Sequence, residues 1–188
     1  MKKITAKIEN FQYFYPYSVA LVGAKSKERI NFMSCAWHTA LSFKPPLFAV
    51  LISKKRLTHE IISEAKEFTV NFISYEKIKR SAQFGRISGR DMDKISHFGL
   101  KTSPGKFIGS PIISEAYVNF ECRLKEVRTY GDHDLFVGEL KAVHEDENIF
   151  ESSGVLNIKK LHPLLYLGSD MYTTIDPNEF KHVLPEEQ

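Results

Sequence analysis

Four stretches of this chain carry residues whose types and spacing could do chemistry. The first is residues 53–58 (SKKRLT), which set Ser53, Lys54, Lys55, Arg56 and Thr58 between an apolar run and a helical pattern. Free N–H groups and the dipole at a helix start favour an anion there. Lysine and arginine add charge-assisted hydrogen bonds to a phosphate. The same residues also read as a solvated basic turn in which Thr58 is only a helix cap. The second stretch, residues 31–37 (NFMSCAW), holds Ser34, Cys35 and Ala36, small enough to let a flat ring approach the backbone. Main-chain N–H and C=O groups could then bond the polar edge of such a ring. A plain core strand is the other reading.

The third stretch is Gly131-Asp132-His133-Asp134. A histidine at a hairpin mouth can contact a ligand and titrates near neutrality; an exposed turn histidine is the plainer account. The fourth is residues 88–94 (SGRDMDK), where glycine frees the backbone and Ser88, Arg90 and Lys94 can reach a phosphate or a sugar hydroxyl. A charged loop with weak internal ion pairs fits equally. His38, His59, His97, His144, His162 and His182 show no paired spacing, so none is read as a metal ligand. The chain contains no GxGxxG, Walker A, GxSxG or HExxH sequence. Rossmann and P-loop nucleotide sites, nucleophilic hydrolysis and zinc proteolysis therefore have no anchor.

The elements that must position these residues fit one domain of 188 residues, with a peripheral tail over about 175–188. Hydrophobic residues make up 43% and charged residues 26%, which excludes a disordered chain. The net charge of +3 is too mild for a nucleic-acid partner and suits an anionic small ligand. Cys35 and Cys122 form no CxxC pair, and a reducing compartment suits them better than a disulfide. The N-terminal lysines are followed by no apolar stretch, and the longest apolar run, residues 45–52, is far below the ~20 residues that span a bilayer. A cytoplasmic protein is expected.

Strands are expected over residues 18–23, 30–37, 47–52, 68–73, 116–129, 133–145 and 164–168, with a polar turn at 25–28. The run 47–52 is continuously apolar, as a strand buried on both faces would be. Residues 58–66 read as a helix capped by Thr58, and residues 75–84 as a second helix. Residues 85–109 form a long connection rich in glycine, serine and charge, a length often tied to function. Many strands with only two short helices point to a mainly β fold, a closed or nearly closed antiparallel barrel whose closure hides the sheet edges.

In order and spacing, these pieces resemble the flavin reductase-like family, especially its flavoredoxin and ferric reductase branch. The likeness spans about residues 17–172. It is carried by NFMSCAW (31–37), SFKPP (42–46), SKKRLTH (53–59), FTVNF (68–72), SGRDMDK (88–94) and above all GDHDLFVGE (131–139). Many flavin reductases carry Thr-Val-Ser-Ser where this chain has residues 31–37, which favours the flavoredoxin-like branch. The resemblance implies an antiparallel split β-barrel of Greek-key type that binds FMN, usually as a homodimer. By analogy Asn31, Met33, Ser34, Cys35, Ala36 and Trp37 line the flavin ring. Ser53, Arg56 and Thr58 hold its phosphate, with Lys54 or Lys55 assisting. Asn71 and Phe72 sit along the flavin, Ser88, Arg90 and Lys94 close over the phosphate end, and Tyr172 covers the ring. His133 matches the histidine tied to the nicotinamide pocket. The implied activity is electron transfer from NADH or NADPH through flavin to free flavin, ferric complexes or a protein acceptor. The alternative is a non-enzymatic carrier reduced by a ferredoxin-like or other redox partner.

Overall fold

The structure is a computed structural model and describes every residue except Asn10, Glu28, Phe180 and residues 182–188. His182 and the greater part of the expected tail lie outside the described residues. β1 (Tyr17–Ser18) is a two-residue piece. β2 (Ala20–Ser26) runs into the first half of the expected turn at 25–28, and Lys27 turns the chain with φ 54° toward β3 (Arg29–Cys35). β4 (His38–Phe43) escapes the sequence reading because its polar residues form no apolar run; it is an edge strand, largely exposed. β5 (Pro46–Ser53) is the apolar run, and its middle residues are buried.

α1 (Leu57–Ala65) follows, and it ends on Lys66, whose φ is 58° and whose N–H bonds back to Ile62 O. Its cap differs from expectation. The N-cap is Arg56, with no side-chain capping bond, while Thr58 is the second residue of the helix and is fully buried. β6 (Glu67–Phe72) precedes a 3₁₀ turn (Tyr75–Lys77) and α2 (Ile78–Arg86). The long connection 85–109 contains a further helix, α3 (Lys94–Phe98). Asp93 caps it, accepting from the N–H groups of Ile95 (3.0 Å) and Ser96 (3.2 Å).

β7 (Thr102–Ser103) and β8 (Ile112–Ile113) pair with each other. β9 (Val118–Tyr130) and β10 (His133–Glu145) form the expected hairpin, with Tyr130 opposite His133 and Gly131 in the left-handed region at φ 62°. β11 (Leu165–Gly168) and β12 (Met171–Thr173) close the described chain. Among the described residues no helix is long and apolar enough to cross a membrane.

Seven strands make one antiparallel sheet in the order β3-β2-β6-β9-β10-β5-β4. It curls until β3 comes into contact with β5, and Leu51 N–H donates to Trp37 O at 2.9 Å, carrying the β4–β5 pairing back toward the end of β3. The barrel expected from the strand count is thus present. β2 is buried on both faces because it serves two cores. Ala20, Val22 and Ala24 point inward with Val50, Ile52, Phe68, Val70 and Phe136, under Ile61 and Ile62 of α1. Val19 and Leu21 point outward with Phe32, Ile73, Ile113 and Leu164, under Phe84 of α2. Gly138 marks the tightest point inside: a Cβ there would lie 2.6 Å from Phe68 Cζ and 2.7 Å from Cys122 Cβ.

A buried polar knot ties the sheet to β8. Asn71 Nδ2 donates to Leu21 O (2.7 Å), and its Oδ1 accepts from Ile113 N–H (3.0 Å) and Asn119 Nδ2 (2.9 Å). Asn71→Ala leaves several of these groups dry and unpaired. With ~1–3 kcal/mol for each such group, the loss of stability is expected at about 2–5 kcal/mol. Urea unfolding checks it: the midpoint should fall with an unchanged slope, and an unmoved midpoint would refute the network.

Candidate functional site

β3 begins the sheet order, and among the described residues it pairs only with β2, so its other edge has no strand hydrogen-bonded to it. Three helices dock along β3 through polar bonds. Asn31 Nδ2 donates to Thr58 Oγ1 of α1 at 2.7 Å. Phe32 O accepts from Lys94 Nζ of α3 at 2.7 Å. Ser34 Oγ donates to Ser81 O of α2 at 2.6 Å. Between these contacts the edge stays open, and three contiguous cavities of about 240, 180 and 220 Å³ lie against it. Ser34 lines all three.

The cavity of about 180 Å³ is cationic. Lys55, Arg56 and Lys94 line it with Asn31, Thr58, Ser88 and Gly89. Arg56 and Lys55 arrive there because the buried run of β5 ends at Ser53 and the chain turns at once into α1, with Arg56 N–H bonded to Ser53 O at 3.0 Å. Thr58 Oγ1 accepts from Asn31, which leaves its own O–H to donate. Lys94 is only 3% exposed, and its Nζ also reaches Phe84 O at 3.2 Å. Burial, helped by the Arg56 charge, pulls its pKa down to about 8. Gly89 lets the loop close over this lobe: a Cβ there would fall 2.2 Å from Asn31 Oδ1.

The cavity of about 220 Å³ is aromatic-walled and shares Met33, Ser34 and Arg56 with the cationic one. Cys35, Ala36, Trp37, Ser53 and His133 line it, with Gln12, Tyr17, Leu51 and Tyr166. The His133 ring lies 4.9 Å from Trp37, and its Nδ1 is 2.8 Å from Asp132 Oδ1. That hydrogen bond holds the Asp132 carboxyl below its usual range. Cys35 is inert by environment: burial pushes its thiol up to about 12, and Sγ contacts Trp37 O at 3.3 Å. The cavity of about 240 Å³ lies between β3, α2 and the last hairpin, lined by Ser34, Ala36, Ser81, Gly85, Tyr166 and Tyr172 among others. Ser81 Oγ donates to Tyr172 Oη at 3.3 Å, and Arg86 pairs with Asp170 at its rim (Nε–Oδ1 2.9 Å).

Of the residues singled out from sequence, Lys54, Asn71, Phe72 and Arg90 are not brought to these cavities. Lys54 lies 3.6 Å from Asp134. Asn71 is fully engaged in the buried knot, and Arg90 is ion-paired to Glu60 at 2.7 Å. Phe72 packs edge-on among His38, Phe48 and Phe120. The sequence reading missed Gln12, Tyr17, Tyr166, Ser81 and Gly85. Ser81 and Gly85 had a signal: small residues four apart on one face of a helix, where close approach to a strand is possible.

The arrangement joins a pocket for an anion to a pocket walled by rings, along a strand edge that offers backbone N–H and C=O groups. Residues 12–175 match the family described as the flavin reductase like domain. An FMN-binding protein from Thermus thermophilus, solved with bound 1-cyclohex-2-enone, superposes with a TM-score of 0.85 at 35% identity, over 97% of this chain and 99% of that one. A flavoredoxin from Methanosarcina acetivorans superposes with a TM-score of 0.85 at 30% identity, over 99% and 97%. A relative from Aeropyrum pernix, uncharacterized, is 34% identical over 155 residues, which are 82% of this chain and 58% of that protein. With a split-barrel fold and a family match across most of its length, this chain belongs to the flavin reductase-like family.

Proposed function

We infer that the protein is an FMN-dependent oxidoreductase that takes electrons from NADH or NADPH and passes them to free flavin, a ferric complex or a protein acceptor. One observation carries the reading: Arg56, Met33 and Ser34 are shared by a cationic cavity and an aromatic-walled one. That pairing suits a ligand with an anionic tail and a flat head. Lys55, Arg56 and Lys94 supply the charge for a phosphate, and Ser88 and Thr58 supply O–H donors. Met33, Ser34, Cys35 and Ala36 offer a small-residue edge to the ring. Trp37, Tyr166 and Tyr172 wall the space around it. When bound, FMN supplies the two-electron chemistry, and the protein's part is to bind, orient and exclude water. No side-chain acid or base is required of it. His133, fixed by Asp132 and backed by Trp37, stands where it can orient a nicotinamide. A homodimer fits the exposed apolar residues Leu41 and Phe43 on the edge strand β4.

The carrier role is the second reading, favoured by the likeness to a flavoredoxin over nearly the whole chain. Turnover separates the two. The purified protein should oxidise NADH or NADPH when FMN and a ferric chelate are present, and His133→Ala should raise KM for the nicotinamide while leaving FMN affinity close to unchanged. Inertness to both nicotinamides, with reduction by a ferredoxin, would instead establish the carrier.

The phosphate grip has its own test. Replacing Arg56 and Thr58 together by Ala should weaken FMN binding in a fluorescence titration by about 3 kcal/mol, taking ~1.5–3 for a hydrogen bond to a charged group. Unchanged affinity would place the phosphate elsewhere.

Lys94 makes binding depend on pH. It is protonated below about 8 and neutral above, so raising the pH through that value removes a cation from the phosphate lobe. FMN is already a dianion there, since a phosphate monoester loses its second proton near ~6. Affinity should therefore fall on the alkaline side, by roughly tenfold for one charged hydrogen bond. Lys94→Met should flatten that dependence; a wild-type affinity constant across the alkaline range would exclude Lys94 from the site.

A further inference from the structure

Asp134 follows His133 at the mouth of the β9–β10 hairpin, yet it lines none of the cavities. It is 7% exposed, an unusual state for a carboxylate unless it is paired. Its Oδ2 takes a hydrogen bond from His59 Nε2 at 2.7 Å. Its Oδ1 has no hydrogen bond and faces Lys54 Nζ across 3.6 Å. Burial pushes the carboxyl up, but contacts with His59 and Thr129 and the Lys54 charge outweigh it and hold the group below its usual range. It is therefore a buried anion a few residues from a lobe proposed to bind another anion.

The two partners explain its place. Lys54 begins the cationic step, and His59 lies in the first turn of α1, so Asp134 holds that step from both ends. The backbone adds a third tie, Lys54 N–H to Asp132 O at 3.5 Å, and β10 sets His133 opposite Ser53. Between the two held points lie Lys55 and Arg56, the cations that reach the cavities. Lys54 is drawn to Asp134, while Lys55 and Arg56 line the cavities.

We propose that Asp134 is a positioning residue: by holding His59 and Lys54 it fixes the cationic step, so that Arg56 stands between the anion lobe and the aromatic lobe. This rests on the phosphate reading above and adds to it a link between the hairpin that carries His133 and the grip on the cofactor's tail. The carboxylate acts through its neighbours and does not touch the ligand. Its charge is faced by Lys54, which offsets its repulsion of a phosphate.

The test compares FMN with riboflavin, the same ring and ribityl chain without the phosphate. Both are titrated into wild type, Asp134→Ala, Asp134→Asn, His59→Ala, the Asp134→Ala/His59→Ala double variant and Arg56→Ala. Asp134→Ala and His59→Ala should each weaken FMN about tenfold, the scale of one charged hydrogen bond, and leave riboflavin nearly unchanged. The double variant should be no worse than either single one, because both remove one bond. Asp134→Asn keeps an acceptor for His59 and should recover most of the loss. An equal fall of both affinities in a variant that remains folded would overturn the proposal. So would an unchanged FMN-to-riboflavin ratio in Asp134→Ala and His59→Ala while Arg56→Ala lowers it. If Arg56→Ala leaves the ratio unchanged as well, the phosphate reading itself has failed and this proposal falls with it. Should Asp134→Ala not fold, His59→Ala reads the same bond.

Discussion

The outer edge of β3 has to be satisfied without a neighbouring strand, and the rest of the site follows from how that is done. An unpaired edge invites another chain to pair with it unless something covers it. Here three helices cover it through polar contacts to different residues, among them Asn31 to α1, Phe32 O to α3 and Ser34 to α2. A second neighbouring strand would have filled the edge with main-chain bonds. Helices that touch it only at points leave cavities between the points, and those cavities are the candidate site. The apolar cores make this possible. Ile61 and Ile62 anchor α1 to the barrel interior, and Phe84 anchors α2 to the outer core, so the polar contacts need only set the angle and spacing.

The charges are sorted by the same scaffold. Three consecutive cations lie between β5 and α1, yet they part company. Lys54 turns to Asp134, while Lys55 and Arg56 line the anion lobe. On the far wall Lys94 is held under the loop by two carbonyls, and Arg90 is drawn outward by Glu60. Arg29 joins that outward network, bonded to both Glu60 and Glu64. Acidic side chains thus take up the cations that do not face the cavity. The outer pairs are solvent-exposed and contribute little to stability, of order 0–1 kcal/mol each. Their effect is to leave the lobe with the three cations that line it.

The cysteines take no part in this. Burial drives both thiols up to about 12, which removes the thiolate that nucleophilic or ligating chemistry needs. Cys35 ends β3 with its side chain packed in the barrel core beside Val50 and Ile52. Cys122 packs against the point where Gly138 admits no side chain. The redox reading therefore rests on a bound cofactor, with no dithiol behind it.

By itself the sequence determined the barrel class, most strand positions, the hairpin at Gly131 and the cationic step beside a buried strand. Each is local: alternation, a continuous apolar run, a glycine turn, a charge cluster at a helix start. Even the small-residue face of α2 is legible at a spacing of four. Tertiary structure alone decided which members of each cluster face the site. Lys54 and Lys55 are neighbours of one type in sequence, and only the position of Asp134, some 80 residues on, separates them. Asn71 sits in a motif that resembles a flavin contact, but its side chain is captured by Leu21, Ile113 and Asn119 from three other segments. Thr58 looks like a cap, and Asn31 draws it into the strand edge instead. Side-chain direction depends on partners brought together by folding, and long-range pairing of that kind leaves no periodic trace along the chain.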